Sequence, residues 1–200
     1  IIILNHDSDS SKYEPIKHLL RPGHANYTYT KKYGVFDYRG GGRASARETA
    51  CRVAAGAVAQ KMLDASNIQV LSYIKSIAAI NIDHARVDTD AINQNTYNSP
   101  IFCPDAVAES QMIQAMDAAQ TTGDSLGGIV EFLMLNMPGG LGDPIYEKLE
   151  ANLAKAMMSL PATKGFEIGE GFHAARMQGS EHNDEFKNNT HNPTNTNHAG

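Results

Sequence analysis

This sequence has few cysteines and no long apolar run, and both features exclude classes of protein before any motif is considered. Its 200 residues include two cysteines, Cys51 and Cys103, which are far apart and form no CxxC pair. That usage predicts reduced thiols in a cytosolic protein and not a disulfide framework. No apolar run is long enough to span a bilayer, so a membrane-spanning helix is not expected.

Acidic residues outnumber basic ones: 22 Asp and Glu against 17 Lys and Arg give a formal net charge of -5 at pH 7. A chain of this charge is a poor candidate for extensive binding to nucleic acid or to an anionic membrane. The hydrophobic fraction of 42% and the charged fraction of 20% are typical of a globular protein with a sizeable core. The length suits one domain or two small ones.

Both ends of the sequence are informative. Residues 1–4 are an apolar run that reads as a β-strand already in progress, and the last residues are polar and rich in Asn and Thr. We therefore expect a core segment of a longer protein. From Lys187 onward apolar residues become rare, and residues 187–200 are predicted to be a polar, mobile loop.

The apolar periodicity alternates between helical and extended spacing. Ala50, Val53 and Ala57 belong to a helical stripe that predicts a buried, alanine-rich face, and Asp105 and Asp143 are candidate N-caps of two later helices. The predicted elements are helix 44–65, strand 68–80, irregular segment 81–98, helix 105–123, strand 128–137, a helix from Asp143 and strand 164–168. This order predicts an α/β layered domain, with strand 128–137 buried in the middle.

A glycine-rich loop leads into the first long helix. Three glycines at 40–42 precede Arg43, Ala44 and Ser45, and free backbone N–H groups with the helix dipole favour an anion at such a position. Arg43 and Arg47 could add charge-assisted hydrogen bonds. The spacing matches neither a Walker A loop nor a dinucleotide fingerprint, and a flexible turn that caps the helix explains it equally well.

His24 follows a Pro-Gly turn and precedes a segment rich in tyrosine and lysine. A histidine titrates near neutral pH and suits proton transfer to a leaving group, although a hydrogen-bonded structural role is the alternative. Tyr27, Tyr29 and Tyr33 could stack on a flat ring or be ordinary sheet residues. The histidines near the end of the chain lack metal-ligand spacing, so no metal site is expected.

Several long blocks resemble the chorismate synthase family. They are RPGHANYTYTKKYG, DYRGGGRASARETACRVAAGA, MPGGLGDPIYEKLEANLAKAMMSLPATKGFEIGEGF and GSEHND, in this order. The resemblance runs from about residue 5 to residue 200. It implies a layered β-α-β sandwich, with residues 1–186 as a single core domain.

The resemblance also implies an activity in the shikimate pathway of aromatic amino acid biosynthesis. Members of the family are lyases that convert 5-enolpyruvylshikimate 3-phosphate to chorismate by 1,4-elimination of phosphate. They need reduced FMN, which some members reduce with NADPH, and they assemble as homotetramers. A cytoplasmic enzyme without nucleic-acid or membrane partners is therefore expected.

Individual residues match the family's functional positions. His24 corresponds to the proposed proton donor near the departing phosphate. Arg43, Ala44 and Ser45 correspond to a flavin-contacting segment, in which many members have serine where this chain has Ala44, and Pro161 with Ala162 corresponds to a second one. Arg47 is the candidate for binding the substrate's phosphate or carboxylate.

The family's GESHG, RRRPG, KPTSS-like and RHDPC segments do not occur in these 200 residues. The family's active site is built from three regions of its sequence, and these 200 residues contain only one of them. We therefore expect this chain alone to hold flavin weakly or not at all and to be inactive. The alternative is a non-catalytic α/β scaffold or binding module with the same fold.

Overall fold

A computed structural model of the chain describes residues 2–4, 9–39, 45–187 and 194–200. These residues form a mixed α/β structure with a small antiparallel sheet, which confirms the predicted class. The chain divides into two compact units, Ile1–Val53 with Pro138–Gly200, and Ala54–Met137. The single core domain over residues 1–186 stays a prediction.

The regular elements of the described residues include six α-helices and three strands. The helices are α1 Asn26–Tyr33, α2 Thr49–Ala65, α3 Thr89–Asn95, α4 Ala106–Thr122, α5 Leu149–Met158 and α6 Gly179–His182. The strands are β1 Gln69–Ile77, β2 Ile80–Asn81 and β3 Gly128–Leu135. Four short 3₁₀ helices lie at Ser10–Ile16, Ala46–Glu48, Thr96–Asn98 and Gly171–Arg176.

The Ala54–Met137 unit is built on one antiparallel sheet with the order β2-β1-β3. Leu71 of β1 lies opposite Leu133 of β3, and Tyr73 lies opposite Glu131. Met112 of α4 is fully buried and packs in one apolar core with Leu71 and Tyr73. Burying apolar side chains of a sheet against a helix is the main favourable contribution to folding in such a unit.

Helix α4 has the boundaries that the sequence predicts. The Asp105 side chain accepts hydrogen bonds from the N–H groups of Val107 and Ala108, and Gly123 ends the helix with a left-handed φ of 70°. An aspartate cap satisfies N–H groups that have no partner within the helix, and glycine adopts a positive φ without strain. Local chemistry at both ends was therefore sufficient to place this helix.

Two predictions for the Ala54–Met137 unit were wrong. The segment predicted to be irregular contains α3, which Asp88 caps by accepting from the Ala91 N–H and which Ile92 anchors in the core. Strand β3 was predicted to be buried in the middle of a layered structure, but none of its residues is buried. Ile129 and Val130 at its start are 54% and 63% exposed, and among the described residues only β1 pairs with this strand.

The face of α2 that was predicted to be buried is exposed in the structure. Val53, Val58 and Met62 have 73%, 56% and 71% of their surface accessible, and none of the helix's residues is buried. No described element covers this face. The stripe therefore predicted the helix correctly, but its burial incorrectly.

The other unit differs from the sequence prediction at three places. Residues 2–4 and 164–168 were predicted to be strands, but the structure assigns neither segment to a strand. Helix α5 begins at Leu149, later than predicted, since the Asp143 N–H donates to the Glu147 carbonyl in a turn. Ile145 in that turn has a left-handed φ of 72° and is 73% exposed.

Part of the predicted mobile segment is held by hydrogen bonds. Residues 188–193 lie outside the described part of the chain. Thr196, His198 and Ala199 donate to the Asp184 carboxylate, and Phe186 forms a β-bridge with Thr194. No helix in the described ranges is long and apolar enough to cross a membrane.

Candidate functional site

The turn at residues 21–24 places His24. The His24 N–H donates to the Arg21 carbonyl at 3.2 Å, and Gly23 has a left-handed φ of 69°. Glycine suits this conformation because a side chain would strain it. The predicted turn is confirmed, and helix α1 follows it directly.

The orientation of the His24 ring is set by two neighbours. Its Nδ1 accepts a hydrogen bond from the Asn26 N–H at 3.2 Å, and its ring lies edge-on to Phe36 at a centroid distance of 5.7 Å. Asn26 is itself buried and donates through Nδ2 to the Leu19 carbonyl at 3.3 Å. Because Nδ1 is an acceptor, this hydrogen bonding assigns the proton of the neutral imidazole to Nε2.

The tyrosines that follow His24 are helical and do not belong to a sheet. Tyr27, Tyr29 and Tyr33 lie in α1. Tyr29 packs edge-to-face with Tyr33 at 5.3 Å and with Phe36 at 6.2 Å, whereas Tyr27 and Tyr33 are more than half exposed. Tyr29 thus belongs to the small aromatic cluster that supports the His24 ring.

The cap segment, residues 45–47, contains two of the predicted contact residues, Ser45 for flavin and Arg47 for the substrate. Ser45 caps a 3₁₀ turn by accepting the Arg47 N–H at 3.4 Å, and the turn continues into α2. The Arg47 side chain is exposed. Arg43 and Ala44, which are predicted cofactor contacts, lie outside the described residues. Backbone N–H groups at such a helix start can interact with an anionic group.

The turn that carries Pro161 and Ala162 has an unusual backbone. The Thr163 N–H donates to the Leu160 carbonyl at 3.4 Å, so Pro161 and Ala162 occupy the two central positions of the turn. Ala162 has a φ of 67°, in the left-handed region where glycine is favoured. Both residues are exposed, and the left-handed conformation of Ala162 costs free energy that contacts elsewhere must offset.

Arg52 connects the cap segment to the 161–162 turn. Its Nε donates to Glu48 at 2.9 Å, and its Nη1 donates to the Ser159 Oγ at 2.7 Å. Ser159 is the residue that ends α5, just before the turn. Glu48 and Arg52 are four residues apart in sequence, whereas Ser159 is 107 residues from Arg52. The structure gives no hydrogen bond from His24 to either segment within its described residues.

Two polar clusters were not predicted from the sequence. Tyr73 donates to the Glu131 carboxylate across the sheet, and Lys75 pairs with the same carboxylate at 2.5 Å. Burial and the bond to Glu131 raise the pKa of Tyr73. Burial also acts to raise the pKa of Glu131, but the bonds from Lys75 and Tyr73 outweigh it and lower that pKa. The charges are internally satisfied, which is typical of a structural cluster.

Asp184 is the centre of the second cluster. Its side chain is 15% exposed. The Ala199 N–H, the Thr196 hydroxyl and the His198 N–H all donate to it, and they lower its pKa to about 2. All three partners are distant in sequence, so no local pattern could reveal this role.

The whole chain is similar in sequence to proteins of a known family. The family model described as chorismate synthase matches residues 1–200. A chorismate synthase of Protochlamydia amoebophila (strain UWE25) is 55% identical over 206 aligned residues, covering 100% of this chain and 56% of that protein. One of Archaeoglobus fulgidus is 50% identical over 184 residues, covering 92% of this chain and 51% of that protein.

A solved structure is also similar. The structure titled "Crystal Structure of Chorismate Synthase" superimposes with a TM-score of 0.74 at 35% sequence identity. The similarity covers 82% of this chain and 52% of the solved chain. The chain spans about half the length of the curated relatives it matches.

Proposed function

The chain belongs to the chorismate synthase family, and we propose that the protein carrying it converts 5-enolpyruvylshikimate 3-phosphate to chorismate by 1,4-elimination of phosphate. The observation that supports this proposal is the family match along all 200 residues. Since the chain covers about half of its relatives' length, the activity is proposed for the complete protein. The chain alone is proposed to be inactive.

His24 is the proposed proton donor to the departing phosphate. With Nδ1 accepting the Asn26 N–H, the neutral ring carries its proton on Nε2 and can donate a hydrogen bond from there to a phosphate oxygen. Full proton transfer requires the imidazolium, in which Nδ1 is also protonated and the bond from the Asn26 N–H is given up. When the carbon–oxygen bond breaks, the phosphate leaves with the bonding electrons, and protonating one of its oxygens reduces the negative charge that develops there. The fixed ring leaves Nε2 as a donor of defined direction.

Reduced FMN is the proposed cofactor, and Ser45, Pro161 and Ala162 are its proposed contacts, together with Arg43 and Ala44. The donor set in the described part fits an anionic, hydrogen-bonding group: a serine hydroxyl, N–H groups at a helix start and a turn with exposed backbone. Bound reduced FMN would supply electron density to the elimination, although the overall reaction has no net redox change. The residues named here bind and orient it.

Arg47 is the proposed contact to the substrate's phosphate or carboxylate. Its side chain is exposed, while its backbone N–H is engaged with the Ser45 hydroxyl. A guanidinium can donate two parallel hydrogen bonds to either anion. The exposed arginine is therefore suited to bind an anionic ligand next to the flavin-contacting cap segment.

The assembly and location are proposed from the resemblance. A cytoplasmic homotetramer is the expected form of the complete protein, and light scattering coupled to size-exclusion chromatography tests its mass. The flavin is reduced either by NADPH on the protein or by an external source. Oxidation of NADPH by the purified protein with FMN distinguishes these two sources.

The test of the proposed function is an FMN titration followed by flavin fluorescence. It uses the complete protein and the 200-residue chain, each with and without 5-enolpyruvylshikimate 3-phosphate. We expect the complete protein to bind FMN, the substrate to strengthen that binding, and the chain alone to bind weakly. If the complete protein does not bind FMN under either condition, a non-catalytic scaffold becomes the better reading.

A further inference from the structure

We propose that Arg52 is a positioning residue that fixes the spacing between two segments that carry proposed flavin contacts. They are the cap segment at residues 45–47, through Ser45, and the 161–162 turn. This inference rests on the proposed function, because the assignment of both segments to flavin is part of it. Arg52 itself is not placed in contact with flavin or substrate. Its role is to connect the start of α2, which follows the cap segment, to the end of α5, which precedes the 161–162 turn.

All three nitrogens of the Arg52 guanidinium are engaged. Nε donates to both carboxylate oxygens of Glu48, at 2.9 and 3.0 Å. Nη1 donates to the Ser159 Oγ at 2.7 Å, and Nη2 donates to the Ser159 carbonyl at 3.2 Å. The guanidinium therefore makes hydrogen bonds to two parts of the chain that are far apart in sequence.

The two ends of this bridge lie next to the proposed contacts. Glu48 belongs to the same 3₁₀ turn, Ala46–Glu48, that Ser45 caps. Ser159 ends α5, and the 161–162 turn follows after one intervening residue. Within the described residues, these bonds of Arg52 are the only hydrogen-bonded link between the cap segment's helix and the end of α5.

The chemistry of the bridge requires arginine. The planar guanidinium presents N–H groups in a fixed fork, so one side of it can bind a carboxylate while the other binds a hydroxyl and a carbonyl. A lysine ammonium keeps the charge but has no fork. The Ser159 carbonyl is at the end of α5, where unpaired carbonyls carry partial negative charge and favour a cation.

The expected consequence is preorganisation of the flavin site. A ligand that contacts two segments must fix their spacing, and the loss of conformational freedom reduces its affinity. When Arg52 holds the spacing before binding, the flavin does not have to impose it. Loss of the bridge should therefore weaken FMN binding more than it lowers the stability of the fold, because the bridge is partly exposed.

The test measures the FMN dissociation constant of the complete protein and of its Arg52→Met variant. We expect the variant to bind FMN about tenfold more weakly, as the loss of charge-assisted hydrogen bonds at a partly exposed site suggests. The matched control is Lys61→Met, which removes an exposed cation from the same helix without touching the bridge. Its FMN affinity should equal that of the wild type.

The Arg52→Lys variant separates positioning from helix stabilisation. Lysine can keep the ion pair with Glu48, so a role confined to stabilising α2 would be rescued by it. Positioning requires the contact with Ser159, and we expect Arg52→Lys to bind FMN nearly as weakly as Arg52→Met. The thermal unfolding midpoint of each apo protein is recorded beside the affinity, so that a loss of folded protein is recognised.

Ser159→Ala provides the second variant if Arg52→Met does not fold. It removes the hydroxyl acceptor and leaves the carbonyl, so we expect FMN binding about threefold weaker. If Arg52→Met folds and binds FMN with wild-type affinity, the positioning role alone is overturned. If Arg52→Met does not fold, wild-type affinity in folded Ser159→Ala has the same consequence. A wild-type protein that does not bind FMN overturns the proposed function, and the positioning role with it.

Discussion

The Asp105 carboxylate, with a side chain 2% exposed, accepts a hydrogen bond from Arg86 Nη2 at 2.6 Å. The same carboxylate caps α4 and accepts the Asp83 N–H at 3.0 Å, so one buried charge joins the start of α4 to the loop between β2 and α3. Buried charges are tolerated when they are paired and hydrogen-bonded, and here every neighbour donates. The stability of the Ala54–Met137 unit should depend on this one side chain.

Replacing Asp105 with alanine should therefore be costly. We expect Asp105→Ala to lower the free energy of unfolding by about 2–3 kcal/mol, because it removes a helix cap and leaves backbone N–H groups without their partner. Asp88→Ala is the matched control, since Asp88 caps α3 by accepting only the Ala91 N–H and is exposed. It should cost about 1 kcal/mol. Equal losses in urea unfolding would contradict the special role of Asp105.

The pH dependence of stability should carry the signature of Asp105. Burial acts to raise the pKa of its carboxyl, but the bonds from Arg86 and from the N–H groups of Asp83, Ala108 and Val107 outweigh it and hold the pKa at about 2. A pKa lower in the folded state than the ordinary value of 3.8 stabilises the fold above about pH 4. That stabilisation is lost as the pH falls from about 4 towards 2.

The measurement is urea unfolding of the wild type and of Asp105→Asn at a series of pH values. Asparagine keeps an acceptor oxygen for the cap but cannot ionise. The stability difference between the two proteins should be largest near neutral pH and shrink between about pH 4 and pH 2. Other carboxylates contribute to both proteins and cancel in the difference. A difference that does not change with pH would show that ionisation of Asp105 does not matter.

Ala162 should be replaceable by glycine with a gain in stability. Its φ of 67° strains a residue that carries a Cβ, and glycine adopts this conformation freely. The strain relieved exceeds the extra freedom that glycine gives the unfolded chain, so we expect Ala162→Gly to raise the free energy of unfolding by about 0.5 kcal/mol. Ala162→Val should lower it, because a β-branched residue is strained further. Thermal or urea unfolding measures both.

His24→Asn should separate the structural from the chemical role of the histidine. The asparagine oxygen can take the place of Nδ1 and accept the Asn26 N–H, but nothing replaces the Nε2 donor. We expect FMN affinity to be kept and kcat to fall by about 100-fold or more. His18→Asn is the control, as His18 is exposed and lies in the same part of the chain. A loss of stability with unchanged kcat in the folded protein would assign His24 to structure alone.

The sequence was most informative where a local interaction decides the structure. Helix α4 has an aspartate before it and a glycine after it, and both ends were predicted correctly. Helix α3 was missed because it is short and polar, and its position depends on burying Ile92 in a core assembled from distant residues. A cap of one residue is too weak a signal without that tertiary contact.

Strands were harder to predict because a strand needs a partner. Residues 164–168 have the composition of a strand, but they are not part of the described three-stranded sheet. The placement of β3 at the sheet edge also depends on pairing, which apolar content alone does not reveal. The candidate site shows the same division: the turn before His24 was predicted locally, whereas the Arg52 contact with Ser159 joins residues that only the fold brings together.

The central claim is most directly tested by turnover of 5-enolpyruvylshikimate 3-phosphate by the complete protein, without oxygen and with reduced FMN. Chorismate and inorganic phosphate are measured in the same samples. We expect both to form in equal amounts, neither to form without reduced flavin, and the flavin not to be consumed. A folded protein that binds FMN and releases no phosphate, or that forms chorismate equally well without flavin, would contradict it.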